Sequence, residues 1–221
     1  MKLYYYDHCP YCVKARMIFG LKNVPVELEA LDNDDEKTPI DLIGQKMVPI
    51  LIKEDKTPMP ESLDIIKFID ENYGEKRIVT YDSPRPEIAQ WLQGSRQYTY
   101  HLAMPRWTQM PLPEFQTESA RQYFQTKKEK QSIGPFTEAL KNTNTYIELA
   151  TKSLTQLESF MDNNANLYNL GEQVHIDDFH VFSTLRSLTA VSDLNFPKKV
   201  SQYTQRMADR SKIDLYIDRA L

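Results

Sequence analysis

Residues 3–21 read LYYYDHCPYCVKARMIFGL and hold both cysteines of the chain, Cys9 and Cys12, just beyond an aromatic run. The segment KLYYY at 2–6 is rich in residues that favour an extended strand. Pro10 stands where a first helical residue tolerates its missing N–H, and Cys12, Ala15 and Phe19 recur at helical spacing. The pattern therefore predicts a strand, then a helix with Cys9 at its N-cap and Cys12 in its first turn. VPVEL at 24–28 predicts a second strand and completes a β-α-β opening.

Working outward, DDEKTPIDLIG at 34–44 predicts a short helix, and VPILI (48–52) and KTPM (56–59) flank the polar turn KEDK as a hairpin. ESLDIIKFIDENYG at 61–74 predicts a helix with Leu63, Ile66, Ile69 and Tyr73 inward and Gly74 as its stop. EKRIVTYDSPRP then breaks the pattern with two prolines, and helical periodicity replaces strand signals from there onward. Helices are expected within 87–104, 118–131, 136–162, 177–191 and 198–210. The organisation is an α/β domain at 1–74, a linker at 75–84 and an all-α domain at 85–221.

The chain has 221 residues, 41% hydrophobic and 26% charged, and 27 Lys and Arg against 31 Asp and Glu leave a formal charge of −4. Such a balance offers no basic stripe for nucleic acid or anionic membrane. No apolar run nears the ~18 residues of a membrane span, and the N-terminus lacks a leader pattern. A soluble cytoplasmic protein with no nucleic-acid or membrane partner is expected. The 6 glycines are scattered, which argues against a phosphate-cradling loop.

The thiol pair admits three chemistries. Zinc wants four N or S ligands, and His175 and His180 are the distant candidates, but they lie a whole domain away from the thiols. A structural staple over so short a loop restrains the unfolded chain little. As a reactive pair, both sulfurs share one helix N-terminus, where backbone N–H groups and the dipole favour a thiolate and lower an ordinary pKa of about 8.5 by a unit or more. Cys12, on the apolar stripe, is expected to be the sheltered resolving thiol, with Cys9 exposed as the nucleophile. His8 beside it either stabilises the thiolate or, as is commoner before a cap, is a surface histidine. Lys14 and Arg16 either add positive field near the thiols or are helix-surface charges without effect.

The CPYC motif at 9–12 resembles that of dithiol glutaredoxins. Together with GQKMVPIL, MPES, EIAQWL, MPRW and DDFHVFSTLRSL, it makes nearly the full chain similar to the bacterial glutaredoxin 2 family. That resemblance implies a thioredoxin-like domain joined to a helical domain in a glutathione-transferase-like architecture. It also implies a site for glutathione: Val48-Pro49 as a cis-proline segment whose Val48 backbone pairs with the ligand, and Pro10 and Tyr11 lining the groove. Glu61 and Ser62 would take the γ-glutamyl end at a helix start. Small dithiol glutaredoxins commonly carry a basic residue shortly before the motif, whereas here Tyr6, Asp7 and His8 precede it, which leaves thiolate stabilisation more to the helix. The capping box of the fold usually opens with Ser or Thr, whereas here His175 precedes Asp178. Trp91, Phe179 and Phe182 are expected in the packing, and Arg106 with Trp107 is not expected to bind nucleic acid.

The expected activity is glutathione-dependent thiol–disulfide exchange with glutathione as co-substrate, no bound cofactor and no metal. Its partners would be glutathionylated or disulfide-containing proteins, and the chain would act as a monomer. A glutathione transferase and a non-catalytic interaction protein of the same fold are the alternatives; the second thiol has no purpose in the first, and the retention of both thiols, Val48-Pro49 and Glu61-Ser62 weighs against the second.

Overall fold

The computed structural model describes residues 1–82 and 85–221, so the end of the expected linker, Ser83 and Pro84, lies outside the described residues. Strand β1 (Lys2–Tyr5) runs into helix α1 (Pro10–Leu21), and β2 (Glu27–Ala30) returns parallel to β1. After α2 (Lys37–Ile43), β3 (Ile50–Ile52) and β4 (Pro58–Pro60) form an antiparallel hairpin, and α3 (Ser62–Asn72) follows. Because β3 also pairs antiparallel with β1, the sheet is mixed, in the order β2-β1-β3-β4. The second strand starts at Glu27 and not at Val24: Val24 N–H still bonds the Phe19 carbonyl, and Pro25 has no N–H to give a ladder.

Leu3 and Leu51 face each other in the β1/β3 register, and both are buried in one cluster with Val13 and Met17 of α1 and Ile65, Ile66 and Ile69 of α3. The inward face of α3 differs from the expected one. Leu63 is 43% exposed, because Ile65, Ile66 and Ile69 centre the apolar stripe and turn Leu63 to solvent. Tyr73 packs at the margin of the cluster, and Gly74 ends the helix at a φ of 77°.

The second half is helical: α4 (Pro86–Trp107), α5 (Glu118–Lys128), α6 (Phe136–Lys141), α7 (Thr143–Ser159), α8 (Ile176–Leu188) and α9 (Lys198–Ser211). The single helix expected over 136–162 divides at Asn142, whose side-chain amide bonds the Glu138 carbonyl in competition with the helical ladder. Strands also recur after residue 74. β5 (Val79–Thr80) pairs parallel with β6 (Val174–His175). Asp70, its carboxylate held by Lys22 Nζ at 3.1 Å, accepts the N–H groups of Ile78 (2.9 Å) and Val79 (3.2 Å) and so presents that segment for pairing.

The two halves share a core. Trp91 of α4 and Phe179, Val181 and Phe182 of α8 belong to the same buried cluster as Leu3 and Val13. The approach is close: a Cβ on Gly20 of α1 would stand 1.8 Å from the Ser211 carbonyl oxygen, so only glycine lets α1 meet the end of α9. His175 does cap α8. Its Nδ1 accepts from the Asp177 N–H at 3.1 Å while Asp178 Oδ2 accepts from the His175 N–H at 2.8 Å, so a ring nitrogen does the work of the usual hydroxyl.

Candidate functional site

The turn from β1 into α1 sets the thiols. Cys9 is the N-cap of α1, with φ −70° and ψ 119°, and Pro10 is the first helical residue. Both thiols are free. Cys12 is fully buried and its sulfur accepts the Tyr6 N–H at 3.4 Å. Cys9 is half-buried, less open than the sequence implied, because it packs against the cluster of Tyr6, Cys12, Leu31 and Val48.

The thiols are electrostatically unequal. Cys9 is lowered to about 6: chiefly the Cys12 thiol hydrogen-bonds to it, the charge of His8 and the N–H groups of Cys12 and Tyr11 add to this, and burial opposes them. Cys12 is pushed well up, first by burial and then by its bond to Cys9 and the charge there. The helix terminus thus contributes as expected, but the largest cause is the partner thiol. Iodoacetamide should alkylate Cys9 at a rate that climbs through a pH of about 6 and then levels off, with Cys12 untouched. An inflection near an ordinary thiol value, or first reaction at Cys12, would overturn the assignment.

His8 is not a surface residue. It is 6% exposed, enclosed by Tyr6, Trp107, Phe115 and Phe124 with ring centroids 4.9–5.8 Å away. Its Nδ1–H donates to Glu114 Oε1 at 2.5 Å, and the same oxygen accepts the His8 backbone N–H at 2.8 Å. Glu114, fully buried, lies in a short turn after α4, so the helical half holds the imidazole next to Cys9 in the chain. Sequence reasoning missed Glu114; the available signal was an acid set among apolar residues in PLPEF at 111–115.

Asp7 and Arg16 are likewise drawn inward. Arg16 donates to Asp7 Oδ1 at 2.7 Å, and Arg186 of α8, 1% exposed, donates to the Asp7 carbonyl (2.6 Å) and carboxylate (2.9 Å). Tyr216 OH closes the network on Asp7 Oδ2 at 3.0 Å. Arg16 therefore neutralises Asp7 and is not a free surface charge. Lys14 is also buried, at 5% exposure, with its ammonium 4.4 Å above the Tyr11 ring.

The Val48-Pro49 peptide is cis, and Val48 shares the cluster of Cys12. Ser62, 3% exposed, opens α3, and exposed Glu61 precedes it with φ 69° and ψ 113°, a conformation costly for a residue other than glycine. Tyr11 is 48% exposed beside the thiols. His175 serves as the α8 cap and His180 packs toward Lys14. Among the described residues no cluster of three or more His, Cys, Asp or Glu side chains could hold a metal.

A thiol lowered in pKa at a helix N-terminus, backed by a sheltered second thiol and a cis-proline strand, is an arrangement suited to thiol–disulfide chemistry. Residues 3–77 match the glutathione S-transferase N-terminal domain and 87–220 the glutaredoxin 2 C-terminal domain. The chain is 43% identical to glutaredoxin 2 of Escherichia coli K12, covering all of both chains. The crystal structure of Salmonella typhimurium glutaredoxin 2 in complex with glutathione is 44% identical, with a TM-score of 0.92 over 100% of this chain and 98% of that one. A glutathione transferase of Phanerochaete chrysosporium shares the fold at 16% identity, with a TM-score of 0.65 over 97% and 98% of the two chains. The chain belongs to the glutaredoxin 2 family.

Proposed function

We propose that the protein is a glutathione-dependent thiol–disulfide oxidoreductase that reduces glutathione mixed disulfides and protein disulfides through Cys9 and Cys12. The observation that carries this reading is the placement of the two thiols: Cys9 caps α1 while Cys12 is fully buried one turn along beside the cis-proline segment, so the Cys9 pKa is held down and that of Cys12 is pushed up. Cys9 attacks the glutathione sulfur of a mixed disulfide, taking the glutathionyl group and releasing the other thiolate. A second glutathione thiolate then attacks the Cys9-bound sulfur and leaves as glutathione disulfide. With a protein disulfide, Cys9 first attacks one substrate sulfur to form a mixed disulfide. Cys12 then gives up its proton and attacks Cys9, which frees the reduced substrate and closes a Cys9–Cys12 disulfide that two glutathiones reduce with release of glutathione disulfide.

In this proposal glutathione lies along Val48, whose main chain bonds its cysteinyl residue as an added strand. Pro10, Tyr11 and Pro49 wall the groove. Ser62 and the α3 N–H groups take the γ-glutamyl carboxylate and Glu61 its ammonium. The exposed Glu61 carboxylate on its strained backbone supports that role. The division at 1–74, 75–84 and 85–221, the absence of a bound cofactor, and action as a cytoplasmic monomer belong to the same proposal; no helix among the described residues is long and apolar enough to cross a membrane.

The test runs glutathione-dependent reduction of the 2-mercaptoethanol–glutathione mixed disulfide beside conjugation of an aryl halide. Fast reduction with negligible conjugation is expected, and the reverse would make the chain a transferase. Glu61→Ala and Ser62→Ala should each raise the KM for glutathione about tenfold while leaving Cys9 alkylation by iodoacetamide unchanged. Unaltered glutathione kinetics in both variants would remove these residues from the site.

A further inference from the structure

Between α1 of the sheet half and α4 and α8 of the helical half lies an open cleft of about 460 Å³, with Pro10 and Tyr11 of the thiol motif at its edge. Its walls carry Lys14, Arg96, Thr99, Tyr100 and His180. Lys14 and Arg96 add cationic groups to a lining that also has apolar members such as Ala89 and Leu92.

Two features of the cleft have no internal explanation. Lys14 is buried, yet neither it nor Arg96 forms an ion pair among the described residues. Its ammonium has only the Tyr11 ring face at 4.4 Å and His180 Nδ1 at 3.5 Å. Taking an ammonium out of water without a carboxylate partner is costly, and an imidazole and a ring face compensate it incompletely. The second feature is Thr99: it is 3% exposed, lines the cleft, and its hydroxyl finds no hydrogen-bond partner. A buried ammonium without a carboxylate and an unpartnered hydroxyl in the lining of the same cleft are groups that an anion would satisfy.

The carboxylates nearby do not complete it. Asp177 also borders the cleft, but its Oδ2 already accepts from Tyr168 OH at 2.5 Å and lies 3.5 Å from His175 Nδ1. Glu61 acts on Lys14 only through space, as does the Cys9 thiolate, and burial outweighs both in lowering the Lys14 ammonium to about 8. His180 is lowered to about 4 by burial and by the Lys14 charge, so it stays neutral at pH 7 and can accept the Lys14 proton donor.

We propose that this cleft receives the half of a mixed disulfide that departs when Cys9 takes glutathione, and that it selects departing thiols bearing a carboxylate, which Lys14, Arg96 and the Thr99 hydroxyl bind. The inference rests on the proposed function. In the step concerned, the Cys9 thiolate and RS–SG give Cys9–S–SG and RS⁻: the Cys9–sulfur bond forms, the RS–SG bond breaks, and R leaves with the electron pair. If glutathione lies along Val48, R projects from Cys9 past Pro10 and Tyr11 into the cleft. A carboxylate arrives there either on a small thiol or on an acidic residue beside a protein cysteine.

The experiment compares glutathione mixed disulfides of 3-mercaptopropionate, 2-mercaptoethanol and cysteamine, which share a two-carbon spacer and end in a carboxylate, a hydroxyl and an ammonium. Each kcat/KM is divided by the rate of the same disulfide with a free thiolate, which removes leaving-group reactivity. The corrected value should be about tenfold higher for the carboxylate than for the ammonium substrate, and the ratio should shrink in salt. Arg96→Glu, at an exposed position that tolerates it, should invert the ratio, and Lys14→Gln should bring it toward one. Glutathionylated peptides with aspartate or lysine beside the cysteine form the second arm: the same preference there assigns the cleft to protein substrates, and a preference confined to small thiols assigns it to those. Equal corrected rates across both arms, or a ratio unmoved by Arg96→Glu, would overturn the inference. Failure to turn over even the neutral disulfide would instead overturn the proposed function.

Discussion

Cys9→Ser is expected to abolish reduction of the 2-mercaptoethanol–glutathione disulfide, a loss of about a thousandfold or more, whereas Cys12→Ser should retain much of that activity. The asymmetry follows from what each thiol does. A glutathionyl group enters and leaves through one sulfur, and Cys9 is the one already ionised near neutral pH. In the proposed mechanism Cys12, fully buried and with its pKa pushed up, enters the chemistry only when a substrate remains attached to Cys9. Reduction of an intramolecular protein disulfide should therefore slow strongly in Cys12→Ser, with a trapped adduct visible by mass spectrometry. The Cys12 hydrogen bond is also the largest cause of the low Cys9 pKa. A serine hydroxyl can still donate it and an alanine cannot, so Cys12→Ala should raise the Cys9 inflection above that of Cys12→Ser. If Cys12→Ser loses mixed-disulfide activity as completely as Cys9→Ser while remaining folded, the single-thiol route is wrong.

The parts of the site that were legible in the sequence are those written locally. Pro10, the i, i+3 thiols and the Ala15–Phe19 stripe define α1 within a dozen residues, so the N-cap position of Cys9 and the burial of Cys12 could be read before any tertiary contact was known. The pairing of β5 with β6 could not. Each strand has 2 residues, they lie far apart along the chain, and the hydrogen bonds that present β5 come from Asp70 of α3.

The charged residues of the site were misread for a related reason. Lys14, Arg16 and His8 look like surface groups because in an isolated α/β unit they would be. The helical half buries them, supplying Glu114 to His8, Arg186 to the Asp7 partner of Arg16, and His180 to Lys14. In each case the partner is more than a hundred positions away, and the local trace is a polar or charged residue set among apolar ones, as at His180 between Phe179 and Val181 or Glu114 between Pro113 and Phe115. The same dependence is why the thiol environment belongs to both halves together: the imidazole that lowers Cys9 is held from the helical side.

Arg186→Met is expected to destabilise the protein by about 3–5 kcal/mol, because it strips a buried carboxylate of its main partner. Asp7 is 7% exposed, and burial alone would push its carboxyl up; the charges and hydrogen bonds of Arg186 and Arg16 outweigh that and hold it well below the usual carboxylate range. A depressed folded-state pKa contributes stability that is fully present above the unfolded value of about 3.9 and is lost as pH falls below it toward the folded value. Asp7→Asn lacks that contribution at every pH. The stability gap between wild type and Asp7→Asn in guanidinium unfolding should therefore be constant from pH 7 down to about pH 5 and close progressively in more acid solution. The network also reaches the chemistry, since Arg186 bonds the Asp7 carbonyl at 2.6 Å, two residues before the nucleophile. Both variants should accordingly shift the pH profile of Cys9 alkylation under conditions where they remain folded, whereas a purely structural strut would leave it in place. A stability gap that stays open in acid, or wild-type stability in Arg186→Met, would show that the buried pair is not what fastens the thiol turn to the helical half.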